Sequence, residues 1–395
     1  MKVLVITNLF GFPWDPSRGV FNQQQFARLA QRGELSVLVA VPWTDAFRRP
    51  GAYWSARREG RKRWPYVDYF VFWYLPGFAQ GLHSLFFFLS LVVQRPGTLF
   101  FTRWHAMIGS WGFPDAVATA AVAAITSTPV LMKVHGTDVN EYLHVPSKRW
   151  QILAAARRCR AVMSVSAALR AQLVEAGVDA DRAHVIYNGV DASIFHPADM
   201  GAARHRLGVA SDERVLLFIG NLKVAKGCVD LLEGFIRVAG SQPQATLVFA
   251  GGGEAQGQLV QRAAEAGLTS RVRLLGKVEH ALLPTWLAAS NVLCLPSHNE
   301  GVPNVVLEAM ACGVPVVAST VGGIPEVVPE FAGVLVPPRD TAALAGALEE
   351  ALAREWDGER IAAHAKRFDW ETNIEHVLNL LGESEHREAG VPGAP

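Results

Sequence analysis

Two glutamates that lie eight residues apart, Glu300 and Glu308, are the side chains best placed to do chemistry in this sequence. A short apolar run at 291–296 precedes them and predicts a buried parallel strand. Pro303 then suits the first turn of a predicted helix over 304–312, where a missing N–H costs nothing. We therefore expect Glu300 in the loop at the carboxyl end of a strand and Glu308 on the helix that follows.

A second strand and helix follow in the same segment. The strand predicted at 315–318 leads through Gly322 and Gly323 to a further helix start at 324–326. Two helix N-termini would then open onto one crevice, and their free N–H groups favour an anion, above all a phosphate. Glutamates beside a diphosphate would accept hydrogen bonds from hydroxyl groups. A ligand that carries both a diphosphate and many hydroxyl groups is a nucleotide sugar. The alternative interpretation is a helix cap and a solvated helix face.

Length and composition indicate a folded protein with two domains. The chain has 395 residues, of which 50% are hydrophobic and 18% are charged, and this length is too great for one ordinary core. Its net charge of +1 gives no field that would favour nucleic acid. The cysteines form no CxxC pair or Cys/His cluster, which is typical of reduced core residues in a cytoplasmic protein. They are Cys159, Cys228, Cys294 and Cys312.

The apolar runs are short. The run at 2–7 has the length of a first strand and lacks the features of a signal peptide. The longest run, at 85–93, is about half of the roughly 20 residues that a membrane-spanning helix needs. The sequence therefore predicts no transmembrane segment.

Strand-like runs alternate with helical patterns along the chain, which predicts parallel sheets covered by helices. The predicted strands are 2–7, 36–41, 66–73, 98–101, 130–134, 161–165, 184–187, 215–220, 246–250, 271–276, 291–296, 315–318 and 334–337. Further helices are predicted at 20–31, 341–353, 359–368 and 370–381. The stretch 191–212 has no strand pattern and is interpreted as a linker, and the polar tail 383–395 is predicted to be disordered.

Several strings resemble those of the retaining GT-B glycosyltransferases of family 4, also called glycosyl transferases group 1. The segment 299–328 matches the family's glutamate-x7-glutamate signature over its whole length, including EAMACGVPVVAS and GGIPE. HGTD at 135–138, SVSA at 164–167, VIYNGVDASIF at 185–195 and GNLKVAKG at 220–227 are also similar to family strings. In the third of these, Tyr187 stands where the family usually has proline, and we expect little effect at a strand end.

This resemblance implies an α/β fold of two Rossmann-like, doubly wound parallel-sheet domains with an interdomain cleft. The domains are expected at 1–195, which would bind the acceptor, and at 210–368, which would bind the nucleotide sugar. A C-terminal helix at 369–382 would cross back to the first domain.

The resemblance also implies roles for single residues. The first glutamate of the signature contacts the donor sugar and the second contacts the ribose, which assigns Glu300 and Glu308. The family histidine lies beside the donor sugar, which assigns His135. The implied catalytic residues are His135, Glu300 and Lys226. The implied donor-binding residues are Gly19, Asn221, Lys226, Val278, Glu300, Gly301, Val302, Asn304 and Glu308.

The diphosphate site departs from the family pattern at one position. The family holds the diphosphate with an arginine and a lysine, and Lys226 matches the lysine, but Asn221 stands in the place of the arginine. Either Lys223 supplies the second positive charge or binding depends more on helix dipoles. Gly19 and the amides of Gly301 and Val302 are further candidates for phosphate contacts. The identity of the nucleobase cannot be predicted, because main-chain groups near Val278 would recognise it and no side chain marks the choice.

A basic and aromatic stretch at 48–64 carries seven basic residues against one acid, Glu59. A solvated loop is one interpretation, and nucleic acid, anionic lipid or an anionic acceptor are others. The family often uses lipid-linked acceptors, so we expect this loop, together with 80–93, to contact an anionic membrane on its inner face. The expected partners are a nucleotide sugar and a saccharide or lipid-linked acceptor, with no nucleic acid.

Three other chemistries are less consistent with the sequence. A glycosidase needs two carboxylates about 5–9.5 Å apart, whereas the spacing of Glu300 and Glu308 gives about 12 Å. Asp179 and Asp181 have the Asp-x-Asp spacing of metal-dependent transferases but lie in a polar turn, so no metal is expected. GGGE at 251–254 lacks the third glycine of a dinucleotide fingerprint.

Two further interpretations share the architecture. One is a GT-B protein that binds nucleotide sugars or serves as a scaffold without catalysis, and the Asn221 departure is its only support. The other is an epimerase or phosphorylase, for which the sequence offers no motif. Turnover of labelled nucleotide sugars would separate these interpretations. The sugar, acceptor, linkage and oligomeric state cannot be predicted from the sequence.

Overall fold

The computed structural model describes residues 1–77 and 79–382, so the predicted tail at 383–395 lies outside the described residues. The chain divides into two compact units. The first unit contains Met1–Tyr187 and the chain from Trp370 onward, and the second contains Asn188–Asp369. Neither unit, as described, contains a helix that is both long enough and apolar enough to cross a membrane.

The first unit is built on a parallel sheet in the order β3-β2-β1-β4-β5-β6-β7. Its strands are β1 Lys2–Thr7, β2 Glu34–Pro42, β3 Val67–Phe72, β4 Ala106–Ser110, β5 Val130–Val134, β6 Ala161–Ser164 and β7 Ala183–Val185. In the central strand β1, Val3 and Val5 enter the core on one face, while Leu4 and Ile6 enter the core on the other. Burial on both faces explains why the strand is a continuous apolar run.

Helices cover both faces of this sheet. They are α1 Val20–Arg32, α2 Trp43–Arg48, α3 Pro50–Arg63, α4 His83–Gln94, α5 Pro96–Phe100, α6 Val117–Thr126, α7 Thr137–Asn140, α8 Pro146–Ala156 and α9 Ala167–Ala176. Edge strand β3 lies between α3 and α4. Tyr69 of β3 packs in the core cluster that contains Tyr53 of α3, and Phe70 packs with Phe87 of α4.

The second unit has a parallel sheet in the order β10-β9-β8-β11-β12-β13. Its strands are β8 Arg214–Ile219, β9 Ala245–Ala250, β10 Val272–Gly276, β11 Val292–Leu295, β12 Val316–Ser319 and β13 Gly333–Val336. Its helices are α10 Met200–Leu207, α11 Cys228–Val238, α12 Gln256–Glu265, α13 Leu283–Ala289, α14 Asn304–Ala311, α15 Ile324–Val327, α16 Thr341–Ala353 and α17 Gly358–Ala365.

The last helix, α18 (Trp370–Leu381), belongs to the first unit and packs against α1. Asn373 on α18 accepts a 2.6 Å hydrogen bond from Gln25 on α1, and both side chains are buried. The indole of Trp370 donates to Gln24 at 2.8 Å. Because the polar groups at this contact are paired, the helix can bury its apolar side without an unsatisfied polar group.

The prediction of two parallel-sheet domains is confirmed, but three local predictions were wrong. Residues 98–101 do not form a strand, since Pro96 begins α5, and the strand in that region is β4, eight residues later. The stretch 48–64 is not a loop but the end of α2 followed by α3. The predicted linker at 191–212 contains α10, which Asp199 caps and Gly208 ends.

Candidate functional site

Lys226 and Glu300 meet at the carboxyl ends of two neighbouring strands. β8 and β11 are adjacent in the sheet, and the loops that leave them run side by side. The backbone N–H of His298 donates to the carbonyl of Ala225 at 2.9 Å, which joins the two loops. Gly227 makes this approach feasible, because its φ is +70° and a Cβ there would lie 1.9 Å from the carbonyl oxygen of Pro296.

The carboxylate of Glu300 is held by Lys226 and Ser297. Its Oε1 accepts a 2.6 Å hydrogen bond from Lys226 Nζ and a 2.8 Å hydrogen bond from Ser297 Oγ. The Glu300 side chain is 9% exposed, whereas that of Lys226 is 35% exposed. The lysine therefore stays open to a ligand while its partner carboxylate is fixed in place.

The loops that follow β11 and β12 are also joined. The N–H of Gly323 donates to the carbonyl of Gly301 at 2.6 Å. Gly322 has a φ of +54°, and a Cβ there would lie 2.0 Å from the carbonyl oxygen of Glu300. No side-chain cap satisfies the first turn of α14 among the described residues. Helix α14 thus begins at Asn304, four residues after Glu300, and its first backbone N–H groups have no side-chain cap in the described part of the chain, as an anion site requires.

Glu308 faces a histidine that the sequence reasoning missed. His280 Nε2 lies 3.6 Å from Glu308 Oε1, and the Glu308 side chain is 13% exposed. This ring nitrogen is buried and has no hydrogen-bond partner in the described part of the chain. His280 follows β10 by four positions and Val278 by two, so a scan of polar residues after each strand would have found it.

The remaining predicted donor residues of the second unit lie on the same loops. Asn304 opens α14, and its Oδ1 accepts a 3.0 Å hydrogen bond from Asn188 Nδ2. Val278 is half-buried after β10. Asn221 and Lys223 are exposed in the turn after β8, and the N–H of Lys223 donates to the carbonyl of Asn221 at 2.8 Å. The Lys223 side chain is therefore not fixed by buried packing.

Gly19 and His135 lie in the first unit, at the carboxyl ends of β1 and β5. Gly19 precedes α1 with a φ of +60°, and a Cβ there would lie 2.6 Å from the carbonyl oxygen of Leu9. Only glycine fits this close approach of the chain to itself. The loop before it is fixed by Asp115, which accepts from the backbone and side chain of Asn8 at 2.5 and 3.0 Å.

His135 is set in a polar and aromatic cluster. Its Nε2 lies 3.2 Å from Ser110 Oγ, and its backbone N–H donates to the Asp138 carboxylate at 3.0 Å. The Trp111 ring stacks on the imidazole with centroids 5.8 Å apart and an angle of 21°. Burial, reinforced by the charge of Lys133, holds the pKa of His135 well below its usual range. The ring is therefore neutral at physiological pH and can act as a hydrogen-bond partner.

Trp111 was missed by the sequence reasoning, although its backbone is unusual. Its φ is +141°, a region that bulky residues rarely adopt. Such strain persists only where the surroundings enforce it, and here the Trp111 N–H donates to Lys133 and the next N–H donates to Asp138. The strained backbone places the indole against His135.

Lys133 is a third missed residue, buried two positions before His135. It is 2% exposed, and its Nζ donates to Gln25 Oε1 at 2.7 Å and to Asn22 Oδ1 at 3.3 Å. Desolvation lowers its pKa to about 7. No signal in the sequence marks this residue, because a lysine inside an apolar strand is ordinarily assigned to the surface.

The Asp-x-Asp at 179–181 forms a turn, as predicted. Asp179 Oδ1 accepts from the N–H of Asp181 at 3.0 Å. Within residues 1–77 and 79–382, no cluster of three or more His, Cys, Asp or Glu side chains is arranged to hold a metal ion. The four cysteines are buried thiols.

Two parallel-sheet units with polar loops at their carboxyl ends define the class of GT-B glycosyltransferase folds. The fold comparison agrees with this class. The Anabaena protein HepE, solved in complex with UDP, aligns with a TM-score of 0.75 and 22% identity, over 96% of this chain and 99% of that one. Sucrose-phosphate synthase from Thermosynechococcus elongatus aligns with a TM-score of 0.74 and 20% identity, over 99% and 100% of the two chains.

Sequence comparison identifies the family. The family model described as Glycosyltransferase Family 4 matches residues 24–194, and that of Glycosyl transferases group 1 matches residues 213–354. The chain belongs to this glycosyltransferase family, as its signature strings predicted.

Curated relatives match parts of the chain. A D-inositol 3-phosphate glycosyltransferase of Geodermatophilus obscurus is 41% identical over 47% of this chain and 43% of its own length. The protein of the same name from Mycobacterium bovis is 34% identical over 77% of this chain and 61% of its own length. The chain thus spans about half of the length of the curated relatives that it matches.

Proposed function

We propose that this protein transfers a sugar from a nucleotide-diphosphate donor to a saccharide or lipid-linked acceptor, with retention of configuration and without a metal ion. The observation that carries the proposal is the pair of Lys226 and Glu300 beside the uncapped start of α14. A half-exposed cation and helix amides provide a place for a diphosphate, and the fixed carboxylate provides an acceptor for sugar hydroxyls.

The reaction needs the leaving diphosphate to be stabilised while the anomeric bond breaks. Prearranged positive groups do this best, because they need no reorganisation as charge develops. Lys226 and the backbone amides of Gly301 and Val302 would take this role. Gly19 and His135 of the first unit keep the donor roles that the resemblance implies, with the neutral imidazole of His135 as a hydrogen-bond partner of the donor sugar.

Retention and metal independence rest on different grounds. Retention is inherited from the family resemblance. Metal independence is supported by the turn geometry of Asp179 and Asp181, because the carboxylate of Asp179 is used within the turn. A role in surface polysaccharide or glycolipid synthesis follows from the acceptors that the family uses.

The first experiment is a panel of labelled nucleotide sugars with and without acceptors. UDP-glucose comes first, since the protein HepE is described in complex with it, and inositol 3-phosphate is the first acceptor, since the relatives are named for it. The proposal predicts transfer or slow hydrolysis of one donor. Lys226→Ala should lower this turnover at least a hundredfold, and Lys366→Ala, an exposed lysine of the same unit, should not change it.

Lys223→Ala then tests the position that lacks the family arginine. If Lys223 supplies the second positive charge, the Lys223→Ala variant should have a higher KM for the donor. If the KM is unchanged, the helix dipoles compensate for the missing arginine. No turnover of any donor with acceptors present would contradict catalysis and favour a GT-B protein that only binds nucleotide sugars. The anomeric configuration of the product, read by NMR, tests retention.

We further propose peripheral contact with an anionic membrane through 48–64 and 80–93. On α4, Leu85, Leu89 and Val93 follow one face and are 49%, 47% and 77% exposed. On α3, Trp54 is 67% exposed, while Tyr53 and Trp64 of the same stretch are buried in the core. Exposed apolar side chains and exposed basic side chains are the two features that proteins combine to bind an anionic membrane surface, and this unit carries the first on α4 and the second on α3.

The membrane contact can be tested with vesicles that contain an anionic lipid. A variant with Arg48, Arg49, Arg58 and Lys62 changed to glutamine should bind them at least tenfold more weakly, and high salt should weaken the wild type similarly. Equal binding by the variant and the wild type would remove this part of the proposal.

A further inference from the structure

Three aromatic side chains of the first unit form a cluster at its surface, called here the aromatic platform: Trp43, Phe47 and Trp73. The indoles of Trp43 and Trp73 are stacked with centroids 6.2 Å apart and an angle of 15°. Phe47 meets both rings edge-on, at 5.8 and 6.1 Å. Although they pack together, Phe47 is 65% exposed and Trp73 is 48% exposed. This is more aromatic surface than a core contact would leave open.

The platform lies where ligands bind in open parallel sheets. Trp43 follows directly after β2 and Trp73 directly after β3, so both stand at the carboxyl ends of neighbouring strands. The Gly19 loop after β1 and His135 after β5 leave the same edge of this sheet. Ligands of α/β folds occupy this edge, whereas the opposite edge carries structural turns.

The rings are held in place before any ligand binds. Trp43 Nε1 donates a 2.7 Å hydrogen bond to the carbonyl of Tyr74, and the backbone N–H of Trp73 donates to Ser90 Oγ at 3.1 Å. Fixed aromatic rings lose little conformational entropy when they receive a ligand. The apolar surface is therefore prearranged.

Polar groups surround the platform. Thr44 Oγ1 and the Tyr74 hydroxyl lie 3.5 Å apart, next to the stacked indoles. A flat apolar surface edged by hydroxyls matches a pyranose ring, which has an apolar C–H face and hydroxyls around its edge.

We propose that the aromatic platform is an acceptor subsite that stacks against a pyranose ring, with the hydroxyls of Thr44 and Tyr74 contacting the hydroxyls of that ring. The assignment of this saccharide as the acceptor rests on the proposed function. It favours an acceptor that already carries a sugar over one recognised through its lipid alone.

A membrane is the other ligand that exposed aromatics could meet. The platform fits it less well, because its rings pack on one another and do not project singly into a headgroup layer. Trp54 and the exposed face of α4 are the better candidates for lipid contact, and neither belongs to the platform.

The test is glycan binding, which requires no catalysis. An array of mono- to tetrasaccharides is probed with the wild type, with Trp73→Ala and with the control Trp150→Ala, which removes a tryptophan on α8 that is 64% exposed. We expect the wild type and the control to bind the same pyranose glycans, and Trp73→Ala to bind them at least tenfold more weakly. Phe47→Leu, which keeps an apolar side chain, should weaken binding less.

Three results would overturn the subsite: no glycan bound by the wild type, equal binding by Trp73→Ala, or a Trp73→Ala defect confined to vesicles of phosphatidylcholine and phosphatidylglycerol. Thermal unfolding of each variant checks that the fold is kept. Donor hydrolysis without acceptor separates the two proposals. If the donor is hydrolysed but glycan binding does not depend on Trp73, only the subsite proposal is wrong. If no donor is hydrolysed but glycan binding still depends on Trp73, only the proposal of sugar transfer is wrong.

Discussion

Replacement of Lys133 by methionine should flatten the pH dependence of stability of the first unit. Lys133 is buried in β5 and touches amide oxygens of Gln25 and Asn22 at 2.7 and 3.3 Å, and no carboxylate pairs with its Nζ within the described chain. The charged ammonium is therefore poorly compensated. The methionine side chain has a similar volume and carries no charge.

The magnitude follows from the shift in pKa. Burial lowers the pKa of Lys133 from 10.5 to about 7. Between these values the unfolded chain binds a proton that the folded protein has released, so the free energy of unfolding rises with pH in this window. At about 1.36 kcal/mol per unit, and with Lys133 half-titrated at pH 7, the rise between pH 7 and pH 9 is about 2 kcal/mol. Below pH 7, both states are protonated and the contribution is nearly constant.

Two other buried groups, His135 and Cys159, act outside this window. The depressed pKa of His135 affects stability below its ordinary value of 6.5, and the pKa of Cys159, raised from 9.0 to about 12, lowers stability only above pH 9. The Lys133→Met substitution would remove the donor of Gln25 Oε1, at about 1–3 kcal/mol, whereas Asn22 Oδ1 keeps Ser110 Oγ as a donor at 3.4 Å. The measurement is therefore the change in the free energy of unfolding with pH, and not its absolute value at one pH.

Urea unfolding at pH 6, 7, 8 and 9 provides the assay. Nine of the eleven tryptophans lie in the first unit, so their fluorescence reports mainly on it. The wild type and the exposed-lysine control Lys62→Met should gain about 2 kcal/mol more than Lys133→Met between pH 7 and pH 9. If the free energy of unfolding of Lys133→Met rises with pH as steeply as that of the wild type, Lys133 does not lose its proton in the folded protein in this pH range.

Three further predictions concern the second unit and the metal. Glu300→Gln should lower kcat for donor turnover at least a hundredfold with little change in urea midpoint, and an unchanged kcat would exclude Glu300 from the reaction. Gly227→Ala should destabilise the protein by about 3 kcal/mol or more in urea, because its Cβ would lie 1.9 Å from a carbonyl oxygen, whereas Gly257→Ala, which meets nothing within 4 Å, should not destabilise it. EDTA should leave turnover unchanged, and activity that is lost with EDTA and restored by Mn²⁺ would contradict the turn role of Asp179.

Much of the fold follows from apolar runs and turn residues. β1, β5, α16 and α18 have the predicted bounds, because each is a strongly periodic or continuous apolar stretch with clear ends. β4 was missed, since its sequence AMIGS contains glycine and serine, which seldom form strands. Gly109 is required there because a Cβ would lie 2.4 Å from Ala116 Cα, a tertiary contact that one sequence cannot reveal.

The candidate site was predictable where a local motif carries it. Glu300, Lys226 and Gly227 lie on loops that parallel strands bring together, so their meeting follows from strand order. His280 also follows a strand and could have been listed, but no motif marks it, and its pairing with a carboxylate 3.6 Å away is visible only in the structure. Lys133 could not be found in this way, because its importance depends on the buried amides around it. Motifs thus identify the ligand edge, and packing decides which polar residues are buried there.

Calorimetry of nucleotide binding tests the role of Lys226 most directly. UDP, GDP and ADP are each titrated against the matching nucleoside, with the wild type and with Lys226→Ala. We expect one diphosphate to bind the wild type much more tightly than its nucleoside, and Lys226→Ala to reduce this advantage at least tenfold. If the advantage of the diphosphate is the same in both proteins, or if no nucleotide binds, Lys226 does not hold a donor diphosphate.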